Sequence, residues 1–217
     1  MLYTLYHEFD EVAAEWSRFK VLQMHCNPVN YIYTAVEPDT LADVASMSVR
    51  APSGACAEVM SRLGVNAISM TPNDIYDNLS KNNIQGYIIE PTGVTDYSLN
   101  EITEYIVDLP LNQGPFFVIM NQDSYNRLPA EYQAVIDEYT TLEASKAIAQ
   151  VWNAQAEESE QEILERAEYV TWSEEDIATF RSISDAYNEE WVATHSTDDF
   201  DAGELLARCQ ELYAEIG

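Results

Sequence analysis

Arg50 is the residue whose type and position most directly suggest chemistry in this sequence. It lies in the segment SMSVRAPSGACAEVMSRLG (46–64), between a β-branched valine and an Ala-Pro turn. Cations are scarce here, with ten lysines and arginines against 38 aspartates and glutamates. A guanidinium offers two parallel N–H donors to a carboxylate. On the residues alone, the favoured interpretation is that Arg50 pairs with a nearby acid such as Glu58 or Asp43.

The other residue types that carry chemistry form no recognisable enzyme or metal motif. His25 and Cys26 are adjacent in a predicted strand, where successive side chains point to opposite faces, so they cannot act on one substrate atom. The three histidines lack metal-ligand spacing, and the sequence has no Gly-rich phosphate loop, HExxH or GxSxG motif. We therefore expect no catalytic residues, no metal and no cofactor.

The cysteines also indicate no shared site. Cys26, Cys56 and Cys209 have no CxxC spacing, and an odd number cannot form a closed set of disulfides. Cys209 belongs to an apolar stripe with helical spacing, so a core position in a terminal helix is predicted for it. The stripe contains Leu205, Leu206, Cys209, Leu212, Tyr213 and Ile216.

The net charge of −28 excludes several classes of partner. Binding to DNA, RNA or an anionic membrane requires a basic face, so none of these partners is expected. No apolar run approaches the roughly 18 residues that span a bilayer. Residues 2–16 follow the period of an amphipathic helix rather than that of a signal peptide. Because this helix is already running at residue 2, we expect the first part of the fold to be missing.

Strands and helices are predicted to alternate up to about residue 120. Short runs rich in β-branched and aromatic residues predict strands at 21–26, 31–36, 47–52, 66–70 and 86–91. Helices are predicted at 53–64, ending at Gly64, and at 71–82, with Thr71 as N-cap and Pro72 in the first turn. Residues 98–106 are predicted to be helical, and 114–121 to form a buried strand with a continuous apolar run.

Helices are predicted to dominate after Pro129. Apolar residues keep helical spacing from Tyr132 to Trp152, and an acidic, solvated stretch continues that helix. Two more helices follow, one of them started by Ser173. The order of elements predicts an α/β protein with a long helix and a helical C-terminal cover.

Taken in order, several segments resemble the solute-binding proteins of tripartite ATP-independent periplasmic (TRAP) transporters. They are MSVRAPSG with the helix end at Gly64, MTPNDIYDNL, GYIIEP, and GPFFVIMNQDSYNRLPAEYQAVIDEY. Within the last segment, Met120, Asn121, Leu128, Pro129 and Gln133 match the family pattern. Ser46 replaces a usual glycine and Gln85 a usual aspartate, both in turns.

The resemblance implies a fold like that of periplasmic binding proteins, with two α/β lobes and a solute held between them. The arginine of the family's turn forms the ion pair with the solute's carboxylate, and the matching residue is Arg50. Residues 1–26 would be a remnant of the first lobe, 27–114 the second lobe, 115–150 the return to the first lobe, and 151–217 the C-terminal helices. The first lobe is thus expected to be incomplete, which would uncover the apolar residues 116–119.

The resemblance suggests further ligand contacts, each with an alternative. Asn30 would contact the solute or close the Asn27-Pro28 turn. Tyr87 and Glu90 follow the QG turn, where members place an amide or aromatic contact. Glu90 would alternatively pair with Arg50 or bind a polar group. Phe116 would form an apolar wall for the solute or pack internally.

The function implied is capture of a small organic acid outside the cytoplasm for delivery to the membrane permease subunits of a TRAP-type transporter, without catalysis. The alternative is a truncated, non-binding lobe that self-associates as an interaction protein. Uncovered apolar faces lead to association, so we expect a homodimer or larger species. The oligomeric state and the response to ligands distinguish the two interpretations.

The acidic surface predicts a salt-dependent stability. Exposed charges interact over about 10 Å at 0.1 M salt, so their mutual repulsion is strongest at low ionic strength. We expect the melting temperature, followed by circular dichroism, to rise when sodium chloride is added. A melting temperature that stays flat or falls between low and moderate salt would contradict a net repulsive load.

Overall fold

The computed structural model describes residues 1–52 and 54–216, which form two compact units. Unit 1 consists of Met1–Asn27, Gly114–Trp152 and Glu189–Gly217, and unit 2 of Pro28–Gln113 and Asn153–Asn188. The strands are β1 Phe19–Cys26, β2 Tyr31–Thr34, β3 Ser48–Ala51, β4 Asn66–Ser69, β5 Gly86–Ile89, β6 Tyr105–Val107, β7 Pro115–Asn121 and β8 Glu168–Val170. The α-helices are α1 Leu2–Glu8, α2 Asp10–Glu15, α3 Leu41–Ala45, α4 Gly54–Arg62, α5 Ile75–Ser80, α6 Pro91–Asp96, α7 Gln122–Asn126, α8 Ala130–Tyr139, α9 Leu142–Ile163, α10 Glu174–His195 and α11 Ala202–Ile216.

Unit 2 is built on a mixed sheet with the strand order β4-β3-β5-β2-β6-β8. Strand β3 runs parallel to both β4 and β5, and β2 is antiparallel to β5 and β6. The edge strand β8 runs parallel to β6. All four residues of β5 are buried, as expected for a central strand that is covered on both faces.

The two faces of this sheet carry separate apolar clusters. Ile32 and Ile88 pack on one face with Trp172 of the C-terminal part, whereas the neighbouring Tyr33 and Tyr87 pack on the other. Successive strand residues point to opposite faces, which produces this division. Strand β2 is apolar or aromatic except at Thr34, and β5 except at Gly86, which explains why these short strands were recognisable from composition.

Local hydrogen bonds explain where two helices of the chain begin. Thr40 and Asp43 form a reciprocal capping box at the start of α3. Ser173 accepts from the backbone N–H of Asp176 at 3.1 Å at the start of α10, as predicted. The predicted start of the next helix at Thr71 and Pro72 is wrong: these residues begin a 3₁₀ turn, Pro72–Asp74, in which Thr71 forms no side-chain cap hydrogen bond, and Asp74 is the N-cap of α5.

Unit 1 contains a two-stranded antiparallel sheet of β1 and β7, in which His25 is paired with Phe116. Asp137 of α8 accepts hydrogen bonds from Lys20 at 2.7 Å and from the Tyr125 hydroxyl at 2.8 Å, joining α8 to β1 and α7. On β1, the Met24 N–H donates to the hydroxyl of Ser145 at 3.3 Å. This serine lies on α9, which covers that part of β1.

The structure corrects further predictions of local structure. The residues with helical spacing from Tyr132 to Trp152 do not form one helix, because α8 ends at Tyr139 and α9 begins at Leu142. Residues 98–106 form a short 3₁₀ turn, Leu99–Glu101, and then strand β6, because pairing with β2 and β8 overrides the local helical pattern. Cys209 is half-buried rather than in the core. Strand β7 exists as predicted but is largely exposed, and within the described residues it pairs only with β1.

The division into units differs from the predicted segments mainly at the C-terminus. Residues 151–217 were expected to form one set of helices, whereas 153–188 belong to unit 2 and 189–217 to unit 1. Helices α9 and α10 each contribute residues to both units. The correspondence of these units to the two lobes of the resembled family stays a prediction.

The exposure of β7 leads to a prediction about assembly. Phe116, Phe117 and Val118 are 45%, 48% and 46% exposed, as expected for an uncovered apolar strand, and Ile119 is half-buried. An open, uncharged strand edge favours pairing with another chain. We expect a dimer or larger species by sedimentation velocity, and we expect Val118→Lys to shift it towards monomer because a lysine at a strand edge opposes pairing.

The matched control is Val36→Lys, which places the same charge at an apolar residue of unit 2 that is 50% exposed. It should leave the sedimentation profile unchanged. A wild-type protein that stays monomeric at both low and high concentration would contradict the prediction, as would equal effects of the two substitutions.

Candidate ligand-binding site

Arg50 lies in the sheet of unit 2, on β3 between Ile68 of β4 and Tyr87 of β5. Only 5% of its surface is exposed. Its Nε donates to the carbonyl of Met70 at 3.1 Å, and its Nη1 to the carbonyl of Ile88 at 2.6 Å. These two carbonyls, from neighbouring parts of the sheet, fix the plane of the guanidinium.

The electrostatic setting of Arg50 is unusual, since a buried cation is held by neutral groups. Burial lowers the pKa of Arg50, and the negative charge of Glu90 partly opposes this effect. Among the residues that the structure describes, no carboxylate lies within ion-pairing distance of the guanidinium. Nη2 donates to no acceptor among those residues, so the guanidinium keeps N–H groups for a further partner.

The interpretation that Arg50 pairs with Glu58 or Asp43 is wrong. Glu58 accepts from Arg62 at 3.0 Å, one turn away on α4. Asp43 is engaged in the capping box of α3. Both carboxylates therefore bind partners within their own helices. With so many acidic residues in the sequence, their spacing alone did not show which of them had local partners.

Asn30 is buried and joins two segments of unit 2. Its backbone forms an isolated bridge with Asn112, and its Nδ2 donates to the backbone carbonyl of Asn112 at 3.1 Å. These bonds fasten the start of β2 to the segment before β7, and closure of the Asn27-Pro28 turn by Asn30 stays a prediction. A ligand contact of Asn30 stays a prediction.

Tyr87 lies in the core of unit 2. Its ring stacks on that of Tyr33 at 5.3 Å, and its hydroxyl is hydrogen-bonded to the hydroxyl of Thr103. The side chain is fully buried, and burial raises the pKa of its phenol. These contacts give Tyr87 a complete packing role, so we assign it no part in the proposed site.

Glu90 and Phe116 lie in different units. Glu90 is the residue before α6, and its carboxylate accepts a hydrogen bond from the Thr92 hydroxyl at 3.4 Å. Its negative charge partly opposes the lowering of the Arg50 pKa by burial. Phe116 lies on β7 of unit 1 next to His25 and Trp152. The structure thus brings Arg50 and Glu90 together within unit 2, and the carbonyls of Met70 and Ile88 complete that group.

Sequence reasoning missed the two carbonyls that hold Arg50. Every residue has a backbone carbonyl, so no residue type could have marked them. Cys56 is also near Arg50, and burial raises the pKa of its thiol to about 11. Its thiol is therefore a neutral group at ordinary pH. The described residues contain no group of three or more His, Cys, Asp or Glu side chains that could hold a metal.

The family is established by a match to a profile of the bacterial extracellular solute-binding proteins, family 7 (DctP), over residues 10–194. The chain belongs to this family. The resemblance to TRAP solute-binding proteins is thereby confirmed, and so is the mixed α/β fold. None of the helices in the described part of this family 7 chain is long and apolar enough to cross a membrane.

Solved structures of TRAP solute-binding proteins share the fold. A marine metagenome protein specific for aromatic acid ligands, in complex with metahydroxyphenylacetate, has a TM-score of 0.87 at 22% identity, covering 97% of this chain and 68% of its own. A Rhodoferax ferrireducens protein with copurified benzoate has a TM-score of 0.87 at 21% identity, covering 98% and 67%. A Bordetella bronchiseptica protein with bound mandelate has a TM-score of 0.84 at 18% identity, covering 94% and 66%. The family 7 chain thus spans about two thirds of their length.

Because the contacts of Tyr87 lie in the core, we expect its substitution to lower the free energy of unfolding without changing ligand affinity. Tyr87→Phe removes the hydrogen bond to Thr103, whose hydroxyl still donates to the Leu99 carbonyl at 2.8 Å. We expect a loss of about 0.5–1.5 kcal/mol in the free energy of unfolding, measured with urea. Affinity for small carboxylates, measured by calorimetry, should not change.

Tyr76→Phe is the matched control, because the Tyr76 hydroxyl bonds Glu101 at 3.1 Å on the surface. It should lower stability less than Tyr87→Phe. Unchanged stability combined with weakened carboxylate binding in Tyr87→Phe would show that its hydroxyl serves the ligand.

Proposed function

We propose that this family 7 chain captures a small carboxylate and that Arg50 binds its anionic group. The observation that carries the proposal is a buried guanidinium held by two neutral carbonyls, without a carboxylate partner among the described residues. Burying a cation without a counter-charge is costly, and an incoming anion offsets this cost. No chemical step is proposed.

The geometry of Arg50 suits a ligand rather than a structural ion pair. Because Nε and Nη1 are already engaged, the guanidinium cannot turn away from the direction in which Nη2 points. A fixed donor loses little conformational freedom when it binds, which favours affinity. The attraction between unit charges about 4 Å apart is on the order of 4 kcal/mol at an effective dielectric near 20.

The solutes of similar structures support a carboxylate. The solutes named for those proteins include metahydroxyphenylacetate, benzoate, mandelate, pyroglutamic acid, galacturonate and orotic acid. These solutes differ in ring type and hydroxylation but share a carboxylic acid group. A carboxylate anchor is the recognition element that such a set has in common, and Arg50 supplies the matching chemistry.

Family membership supports the transport setting that we propose. Its members are solute-binding proteins, so we place the chain outside the cytoplasm, delivering its solute to the membrane permease of a TRAP-type transporter. Family membership favours this function over the alternative of a truncated, non-binding lobe. Glu90, whose charge lies near Arg50, would take a polar or hydroxyl group of the solute.

The proposal predicts the effect of replacing Arg50. Removing one partner of a buried charge pair costs about 2–5 kcal/mol, so Arg50→Ala should abolish detectable binding of small carboxylates. Arg50→Lys should also bind poorly, because an ammonium cannot reproduce the planar donors. The measurement is calorimetric titration against benzoate, mandelate, orotate and galacturonate.

The control is Arg62→Ala, which removes an arginine of the same unit that pairs with Glu58 on the surface. It should bind carboxylates as the wild type does. Because Arg50→Ala also leaves two carbonyls without their donor, its folding is checked by circular dichroism, and Arg50→Gln serves as a variant that can still donate to one of them. Undiminished binding in a folded Arg50 variant, or a wild type that binds no acid, would refute the proposal.

A further inference from the structure

A cleft between helices α4 and α10 lies within unit 2 and takes no part in the proposed function. Its volume is about 210 Å³, and Arg50 is not among the residues that line it. Its apolar lining includes Val59 and Met60 of α4, Leu111, and Phe180 of α10. Met60 is 1% exposed and Phe180 8%, so the deepest part of the cleft belongs to the apolar cluster that includes Ile88.

The same cleft is lined by uncharged polar side chains. They are those of Asn112 and of Ser184 and Asn188 on α10, and all three residues are half-buried. Within the described part of the chain, no other residue forms a hydrogen bond with the side chain of Ser184 or Asn188. None of the described lining residues carries a charge, because burial raises the pKa of the Cys56 thiol to about 11 and keeps it neutral.

A contact between the two helices holds one wall of the cleft in place. Tyr187 of α10 lines the cleft, and the guanidinium of Arg62 on α4 lies 5.3 Å from the centre of its ring. Arg62 in turn donates to Glu58 at 3.0 Å. A cation within about 6 Å of an aromatic face is attracted to it. The Tyr187 ring is therefore held by groups of the protein itself, and this wall is formed before any molecule enters.

Water and ions are poor occupants of this cleft. A buried water usually makes about three hydrogen bonds, which the apolar lining does not supply. Displacing poorly ordered water by an apolar group improves affinity. A carboxylate or an ammonium group would enter without a counter-charge, which is costly. An apolar cavity of about 150 Å³ holds benzene, so the volume here suits a molecule of about six to eight non-hydrogen atoms.

We propose that the cleft between α4 and α10 is a binding site for a small uncharged molecule with an apolar body and one hydroxyl or amide group. The apolar body packs on Met60 and Phe180, and the polar group bonds with Ser184 or Asn188. The site differs from that of Arg50 in the chemistry of its ligand, and it does not depend on the proposed function.

The test uses straight-chain alcohols as probes and the methyl group of Met60 as the reporter. The chain has six methionines, and in protein labelled with ¹³C-methyl methionine the Met60 signal is the one that Met60→Leu removes. Titration with 1-butanol, 1-pentanol and 1-hexanol should shift this signal saturably. The affinity should rise about fourfold with each added methylene, as expected when a CH₂ group leaves water.

A matched pair of variants locates the binding. Ser184→Leu fills the cleft and removes its hydroxyl, so it should abolish the saturable shift with 1-hexanol. Ser182→Leu makes the same change at an exposed residue of α10 that does not line the cleft, and it should bind 1-hexanol as the wild type does. Folding is checked by circular dichroism. Ala55→Leu, at an exposed lining residue of α4, replaces Ser184→Leu if that protein does not fold.

Hexanoate, the anion that matches 1-hexanol in length, tests the neutral character of the site. It should shift the Met60 signal at least about tenfold more weakly, because its charge finds no partner in the lining. Hexanoate binding as tight as that of 1-hexanol at Met60 would join the cleft to the carboxylate site and overturn the inference.

The remaining outcomes also decide the inference. A Met60 signal that no alcohol moves, or that drifts without saturation, would overturn it, and so would equal titrations of Ser184→Leu and Ser182→Leu. Failure of the chain to bind any carboxylate would refute the proposed function alone. Saturable binding of 1-hexanol that only the cleft variant removes would still support this site.

Discussion

The burial of the Arg50 guanidinium among neutral backbone groups is the constraint on which the account of this chain depends. The side chain leaves β3 within a mixed sheet whose neighbours supply the carbonyls of Met70 and Ile88. Hydrogen bonds to those carbonyls replace part of the hydration that the guanidinium loses on burial, but the carbonyls carry no full negative charge. The sheet therefore holds a positive charge that is oriented and only partly compensated, and this condition favours recognition of an anion.

The remaining contacts of unit 2 make this arrangement rigid. Tyr87, beside Arg50 in the register, is fixed by its stacking on Tyr33 and by Thr103. Asn30 fastens the start of β2 to Asn112. Because the neighbouring strands are held by buried contacts, the carbonyls that orient the guanidinium cannot easily shift. The same rigidity keeps uncompensated charge in place, which a flexible loop would not do.

Much of the fold could be predicted from the sequence, and the failures have physical reasons. Strands β1 to β5 and β7 were recognisable because alternating or continuous apolar residues reflect burial on one face or two. Strand β6 was taken for part of a helix, and the three-residue strand β8 was not predicted, since their pairing depends on partners far away in sequence. Phe116 is exposed on β7, which pairs only with β1 among the residues that the structure describes, and the resemblance to the family, not the apolar run itself, predicted this exposure.

The candidate site, too, could be predicted from the sequence only in part. Arg50 was identifiable because its position matched a family motif, and its scarcity in an acidic chain drew attention to it. Its carbonyl partners were invisible, because backbone groups leave no mark in residue type. His25 was noticed beside Cys26 and dismissed as a catalytic base. Its aromatic surroundings depend on the pairing of β1 with β7 and on the position of α9.

The most direct test of the central claim observes the guanidinium of Arg50 itself. In protein labelled with ¹⁵N-arginine, the side-chain N–H correlations can be assigned to Arg50 by their absence in Arg50→Lys. Titration with benzoate, mandelate, orotate or galacturonate should produce a saturable shift of the Arg50 signals with at least one of these acids, while those of the surface residue Arg62 stay in place. An Arg50 signal that remains unmoved by every acid, or that drifts in parallel with all the other arginines, would contradict the account.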